Sequence, residues 1–88
     1  DVLNDQPGVI ESAVVGVPHP DFGEGIVAIL VGETELDMAA LEAVCREKLA
    51  GFKVPRRWEQ LDALPRNTMG KVQKNLLRVD YEDTFATA

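Results

Sequence analysis

The chain has 88 residues, 45% of them hydrophobic and 27% charged, and its 15 acids outweigh nine lysines and arginines to give a net charge of −6. That length and composition fit one domain with a modest core. The acidic balance excludes a general nucleic-acid binder, no apolar run approaches the roughly 20 residues of a membrane span, and one cysteine excludes an internal disulfide.

Asp1-Val2-Leu3-Asn4-Asp5 is expected to be the tail of a helix, and Gln6-Pro7-Gly8 breaks it. Val9 to Val17 is an apolar, β-branched run that predicts a strand. Its continuous Ala13-Val14-Val15 predicts that both strand faces are covered. Pro18-His19-Pro20-Asp21-Phe22-Gly23 is a turn and Glu24 to Val31 the next strand. The short connection predicts antiparallel pairing. After a loop at Gly32 to Glu35, Asp37 is the expected N-cap of a helix, with Leu36 and Leu41 at hydrophobic-staple positions. Met38, Leu41, Cys45 and Leu49 recur at spacings of three and four and predict one apolar stripe. Glu42 and Arg46 form an i,i+4 pair, and Lys48 and Gly51 suit the helix end. Val54-Pro55 forces an extended exit. Trp58 to Leu64 predicts a third strand and Asn67-Thr68-Met69-Gly70 a loop. Gln73 to about Tyr81 predicts a second helix with Leu76, Leu77 and Val79 apolar, and the tail after Asp83 is expected to fray. The sum is an α+β domain, a small sheet of about three strands packed with helices.

Charge is unevenly spread. From Pro65 to Val79 the charged residues are Arg66, Lys71, Lys74 and Arg78, with no acid among them. An acidic domain that gathers bases in one segment is expected to address an anion. Lys71 follows Gly70 on a loop just before a helical stretch, where glycine allows a close backbone approach to a ligand. A Walker-type phosphate loop is excluded, since Val72 stands where Ser or Thr is required and Pro65 where the first glycine would be. Lys74 and Arg78, four apart, share a helical face and read as solvated or paired with acids.

Several other residues are candidates. Gly16, near the end of the first strand, suits either close backbone approach to a ligand or plain sheet packing or a bulge. His19, between two prolines, reads as a turn residue rather than a general base. Asp21 and Glu24 lack a third ligand and read as turn capping rather than a metal pair. There is no Cys/His cluster for zinc. Cys45 falls on the apolar stripe as a buried small hydrophobe. Phe52 and Trp58 read as core or inter-domain contacts, and Lys53 and Arg57 as exposed bases.

Pro65-Arg66-Asn67-Thr68-Met69-Gly70-Lys71-Val72-Gln73-Lys74 resembles the C-terminal lysine motif of the adenylate-forming enzymes, which comprise acyl-CoA synthetases, peptide-synthetase adenylation domains and firefly-type luciferases. Glu11-Ser12-Ala13-Val14-Val15-Gly16-Val17-Pro18-His19-Pro20-Asp21-Phe22-Gly23-Glu24 and Phe52-Lys53-Val54-Pro55 are similar to two further segments of that superfamily, in the same order. The resemblance implies that residues 1–88 are the C-terminal lid domain of a larger acyl-CoA synthetase, with a large N-terminal domain and a hinge ahead of it. It implies ATP with Mg²⁺ and CoA as ligands, bound mainly by or with the N-terminal domain, so that the fragment alone is inactive. It makes Lys71 the cation for carboxylate adenylation and Gly70 the residue that lets it approach. Gly16 would line the pantetheine path in a second orientation of the domain, which gates the two half-reactions in turn. His19, Lys53 and Arg57 are the side chains that could reach CoA. The string Gly70-Lys71-Val72-Gln73-Lys74-Asn75 is similar to malonyl-CoA synthetases. An adenylation subdomain of a peptide synthetase, which serves a carrier protein, and a non-catalytic binding module of the same fold are the alternatives. A lysine acetyltransferase acting on Lys71 and a cytoplasmic location complete the expectations.

Overall fold

Val27, Ile29 and Val31 face one way from the second strand, Ala28 and Leu30 face the other, and all five are buried. A strand covered on both faces belongs at the centre of a sheet, and an unbroken apolar run is what that place requires. The computed structural model describes residues 2–86. In it β1 (Val9–His19), β2 (Gly23–Gly32) and β3 (Arg57–Gln60) form a three-stranded sheet in the order β1-β2-β3. β1 pairs antiparallel with β2, with His19 opposite Gly23, whereas β3 pairs parallel with it, with Ala28 opposite Trp58. The parallel pairing needs a crossover, and α1 (Met38–Lys48) lies within it.

Two cores result. Ala13, Val15 and Val17 of β1 join Val27, Ile29, Val31, Leu64 and Leu77 on the face that carries α2 (Lys74–Asp80). Ala28 and Leu30 join Leu3, Leu41, Cys45 and Val54 on the face that carries α1. α1 begins where predicted: the Asp37 carboxylate accepts the Ala40 N–H at 3.1 Å, satisfying one of the helix's first free donors. The Arg46–Glu42 pair is formed at 3.2 Å.

Five expectations need correction. Val14 is 37% exposed, because β1 is an edge strand covered on one face only. The third strand is shorter than Trp58 to Leu64 and starts earlier: pairing stops at Gln60, and Leu64 instead drops into the α2-side core. Residues 2–5 are turns closed by the Gln6 N–H on the Leu3 carbonyl at 3.1 Å rather than regular helix, and Asp1 lies outside the described residues. Of the tail expected to fray after Asp83, Phe85 packs against the α2-side core and the Ala86 N–H donates to the Asp83 carbonyl at 3.1 Å, while residues 87 and 88 lie outside the described residues. Of the apolar residues of α2, Leu77 is buried and Leu76 and Val79 are exposed. Among the described residues no helix is long and apolar enough to cross a membrane.

Candidate functional site

Pro65 to Gln73 folds back on itself as a small hairpin. Arg66 and Val72 pair antiparallel. The Asn67 N–H donates to the Lys71 carbonyl at 2.9 Å, and the Gly70 N–H to the Asn67 carbonyl at 3.0 Å. Asn67 Oδ1 accepts the N–H groups of Met69 (2.9 Å) and Lys71 (3.0 Å), so one side chain ties both ends of the turn. Gly70 has φ 81°, the left-handed conformation that closes three-residue hairpin loops and disfavours side chains. An added Cβ there would meet nothing within 4 Å. Backbone conformation, not crowding, therefore requires glycine.

The hairpin is fastened at its base. Arg66 donates through Nη1 to the Gly70 carbonyl at 2.6 Å and through Nη2 to Glu11 on β1. The Gln73 N–H donates to the Pro65 carbonyl at 2.8 Å. Leu64 and Val72 pack into the α2-side core, and alternation along the limb then leaves Lys71 exposed. Of the four clustered bases, Arg66 is neutralised by Glu11. Lys71, Lys74 and Arg78 are exposed and form no ion pair among the described residues. Lys74 and Arg78 are thus solvated rather than paired.

A second feature lies at the other end of the sheet. Phe22, Glu24, Ile26, Phe52, Lys53 and Arg56 line a cleft of about 580 Å³. Two of its walls are exposed aromatic rings, Phe22 at 60% and Phe52 at 78% exposure. The Arg56 guanidinium stands 4.2 Å from the Phe22 ring centre and Lys53 Nζ 5.7 Å from that of Phe52. Gly16 borders this cleft indirectly. It sits within β1, opposite Ile26, with no bulge, and an added Cβ would collide with the Glu24 carboxylate. Arg57, read from the sequence as an exposed base, is exposed and points away from this cleft. Its register partner is Val27, on the α2 face, and it pairs with Glu59 at 3.0 Å. The neighbouring Arg56 lies in the cleft instead.

The family described as the AMP-binding enzyme C-terminal domain matches residues 1–71. The chain belongs to that family. A 3-[(3aS,4S,7aS)-7a-methyl-1,5-dioxo-octahydro-1H-inden-4-yl]propanoyl:CoA ligase of Rhodococcus jostii is 49% identical over 73 residues, 81% of this chain and 14% of that protein. A 2-succinylbenzoate–CoA ligase of Listeria monocytogenes is 38% identical over 77 residues, 88% of this chain and 16% of that protein. Apo MatB from Rhodopseudomonas palustris superposes with a TM-score of 0.90 at 49% identity, over 94% of this chain and 17% of that one. The three-stranded mixed sheet with two helices is therefore the fold of this domain family, and the chain spans about one-sixth of the length of the relatives it matches.

Within this AMP-binding enzyme C-terminal domain, no group of three or more His, Cys, Asp or Glu side chains gathers to hold a metal ion among the described residues. The Asp21 N–H donates to His19 Nδ1, and Glu24 lies over Gly16. Cys45 is buried on the apolar stripe. Phe22 and Arg56 are the residues that reading the sequence missed. Some 30 positions separate them, and only the parallel crossover brings them together. The available signal was the aromatic residue in the β1–β2 turn, which has no core to fill.

Proposed function

We propose that residues 1–88 form the C-terminal domain of an ATP-dependent acyl-CoA ligase and that Lys71 supplies the cation for carboxylate adenylation. The observation that carries this reading is an exposed ammonium on a hairpin held by Asn67, Arg66 and Gly70, with no competing anion among the described residues. In the first half-reaction a carboxylate oxygen bonds to the α-phosphorus of ATP and pyrophosphate leaves. In the second, the CoA sulfur bonds to the acyl carbon, AMP leaves and the thiol proton passes to solvent. The first step brings two anions together, and a fixed cation between them offsets the repulsion. One unit charge at about 4 Å with an effective dielectric near 20 contributes roughly 4 kcal/mol, or about a thousandfold in rate. Magnesium would travel with the nucleotide, and no residue described here is assigned to it.

Lys71→Ala in the intact ligase should therefore lower carboxylate-dependent ATP–pyrophosphate exchange by about a thousandfold. Thioester formation from supplied acyl-adenylate should survive. Near wild-type exchange in the variant would refute the assignment and favour a non-catalytic module. The 88-residue chain alone should show no exchange at all. The exposed Lys71 ammonium also suits acylation by an acetyltransferase, which would remove the charge. Mass spectrometry of the ligase after incubation with such an enzyme checks this.

The cleft favours CoA over a carrier protein as the thiol donor. Two aromatic faces suit an adenine ring, and Lys53 and Arg56 suit its phosphates, a nucleotide that a carrier-bound pantetheine lacks. Phe52→Ala should raise the KM for CoA while leaving pyrophosphate exchange unchanged. Equal use of a carrier protein by wild type and variant, with CoA inert, would favour the peptide-synthetase reading. Gly16 acts here only through the Glu24 side chain that it accommodates. The acyl group, for which malonate is the finer resemblance, would bind on the larger domain in this reading.

A further inference from the structure

His19 stands where the two faces of the sheet meet. Side chains at Val15 and Val17 face α2, and His19, two residues on, continues that side. There the Phe85 ring packs on it with centroids 5.0 Å apart. Gly25 makes this possible: an added Cβ would collide with the Phe85 ring, and the next atom met is His19 Cδ2. On its other side His19 contacts Phe22, centroids 4.5 Å apart, and Phe22 in turn carries Arg56 at 4.2 Å. A column Phe85–His19–Phe22–Arg56 thus runs around the end of the β1–β2 hairpin, from the C-terminal segment on one face to the cleft on the other.

The column is oriented by hydrogen bonds as well as by packing. His19 Nδ1 accepts the Asp21 N–H at 3.1 Å and the Phe22 N–H at 3.3 Å. Nδ1 must therefore be the unprotonated nitrogen. The imidazole performs the task that an Asn or Asp carbonyl performs in an Asx-turn, receiving the N–H two residues on. Pro20 cannot donate to it, and its fixed φ presents the next two amides.

We propose that His19 is a positioning residue: by capping the turn through Nδ1 and bridging Phe85 to Phe22, it fixes the Phe22 ring as a wall of the cleft. Its effect on CoA rests on the assignment of that cleft to the CoA nucleotide, but its effect on the turn does not.

The test uses the intact ligase with three variants. His19→Leu keeps bulk and loses the acceptor, His19→Asn loses the ring and keeps an acceptor at the same place, and Phe22→Ala removes the wall. Hydrogen–deuterium exchange of the peptide containing Asp21 and Phe22 reads the turn. It should speed up by about tenfold in His19→Leu and stay within about twofold of wild type in His19→Asn. The KM for CoA should rise in His19→Leu as it does in Phe22→Ala. Unchanged exchange in His19→Leu, or equal acceleration in the Leu and Asn variants, overturns the positioning role. Faster exchange in His19→Leu with an unaltered KM for CoA in both His19→Leu and Phe22→Ala sustains the positioning role and overturns the cleft assignment.

Discussion

Gly70 and Gly16 both flank a candidate site, and they are glycine for opposite reasons. Gly70 has open space where a Cβ would go but a φ of 81°. Gly16 has ordinary backbone and a Glu24 carboxylate where the Cβ would go. Substitution should separate the two causes. Gly70→Ala should destabilise the native hairpin by about 1–2 kcal/mol through the left-handed conformation alone, and Gly70→Asn by less, because asparagine tolerates that region. Exchange protection of the Asn67 and Lys71 amides is the readout, with the Ala variant the less protected. Gly16→Ala should cost under about 0.5 kcal/mol, because the group displaced is the end of a flexible, exposed side chain. Even that small cost should vanish in a Glu24→Ala background. A double-mutant cycle measured by urea unfolding checks it, and no coupling between the two positions would contradict the stated contact.

Among the elements, α2 depends most on a single contact. It has seven residues and no side-chain N-cap, and only Leu77 is buried. A helix that short has little stability of its own, so its docking to β1 rests on that side chain. Leu77→Ala should destabilise the domain by about 2–5 kcal/mol, whereas Leu76→Ala and Val79→Ala should change stability by less than about 0.5 kcal/mol. Because α2 starts directly after the hairpin, Leu77→Ala should also loosen the Gln73–Pro65 hydrogen bond that closes its base. Equal costs at the three positions would contradict the assigned helix face. Reading the sequence could not separate these three residues, because a short apolar cluster has too few turns to define a face. The same limit explains β3: Trp58 to Leu64 is apolar enough for a strand, but pairing length is set by β2, which the local pattern does not describe. The well-predicted features were those whose cause is local. Asp37 caps because of what lies three residues on, and the predicted loop at Asn67-Thr68-Met69-Gly70 turns because Asn67 and Gly70 sit four and one residues before Lys71; that its limbs pair as a hairpin is not read from the sequence. The cleft and the aromatic column depend on which strands become neighbours, and no local rule supplies that.

At the scale of the molecule, one sheet separates two cores, and each holds one group that resists ionisation. Cys45 lies in the core under α1. Burial raises its thiol above the ordinary 9.0, and Glu42 adds to the rise. Tyr81 packs against the core under α2. Burial raises its phenol above 10.0, Glu59 and Asp80 add to the rise, and Arg57 opposes it. In both cases the folded state holds its proton more tightly than the unfolded chain. The associated stability is complete below the unfolded pKa and is lost as pH rises through the folded one. The free energy of unfolding should therefore fall above about pH 9, first from Cys45 and then from Tyr81, with each contributing a slope of at most about 1.4 kcal/mol per pH unit. Cys45→Ala should remove the first part of the decline and Tyr81→Phe the second. The slope is the readout, since both variants also lose packing. The two groups sit on opposite sides of β2 and share no partner, so their effects should add in the double variant. Urea unfolding at a series of pH values between about 7 and 11 measures this. An alkaline decline that persists unchanged in the double variant would show that the folded state does not hold these two protons more tightly than the unfolded chain.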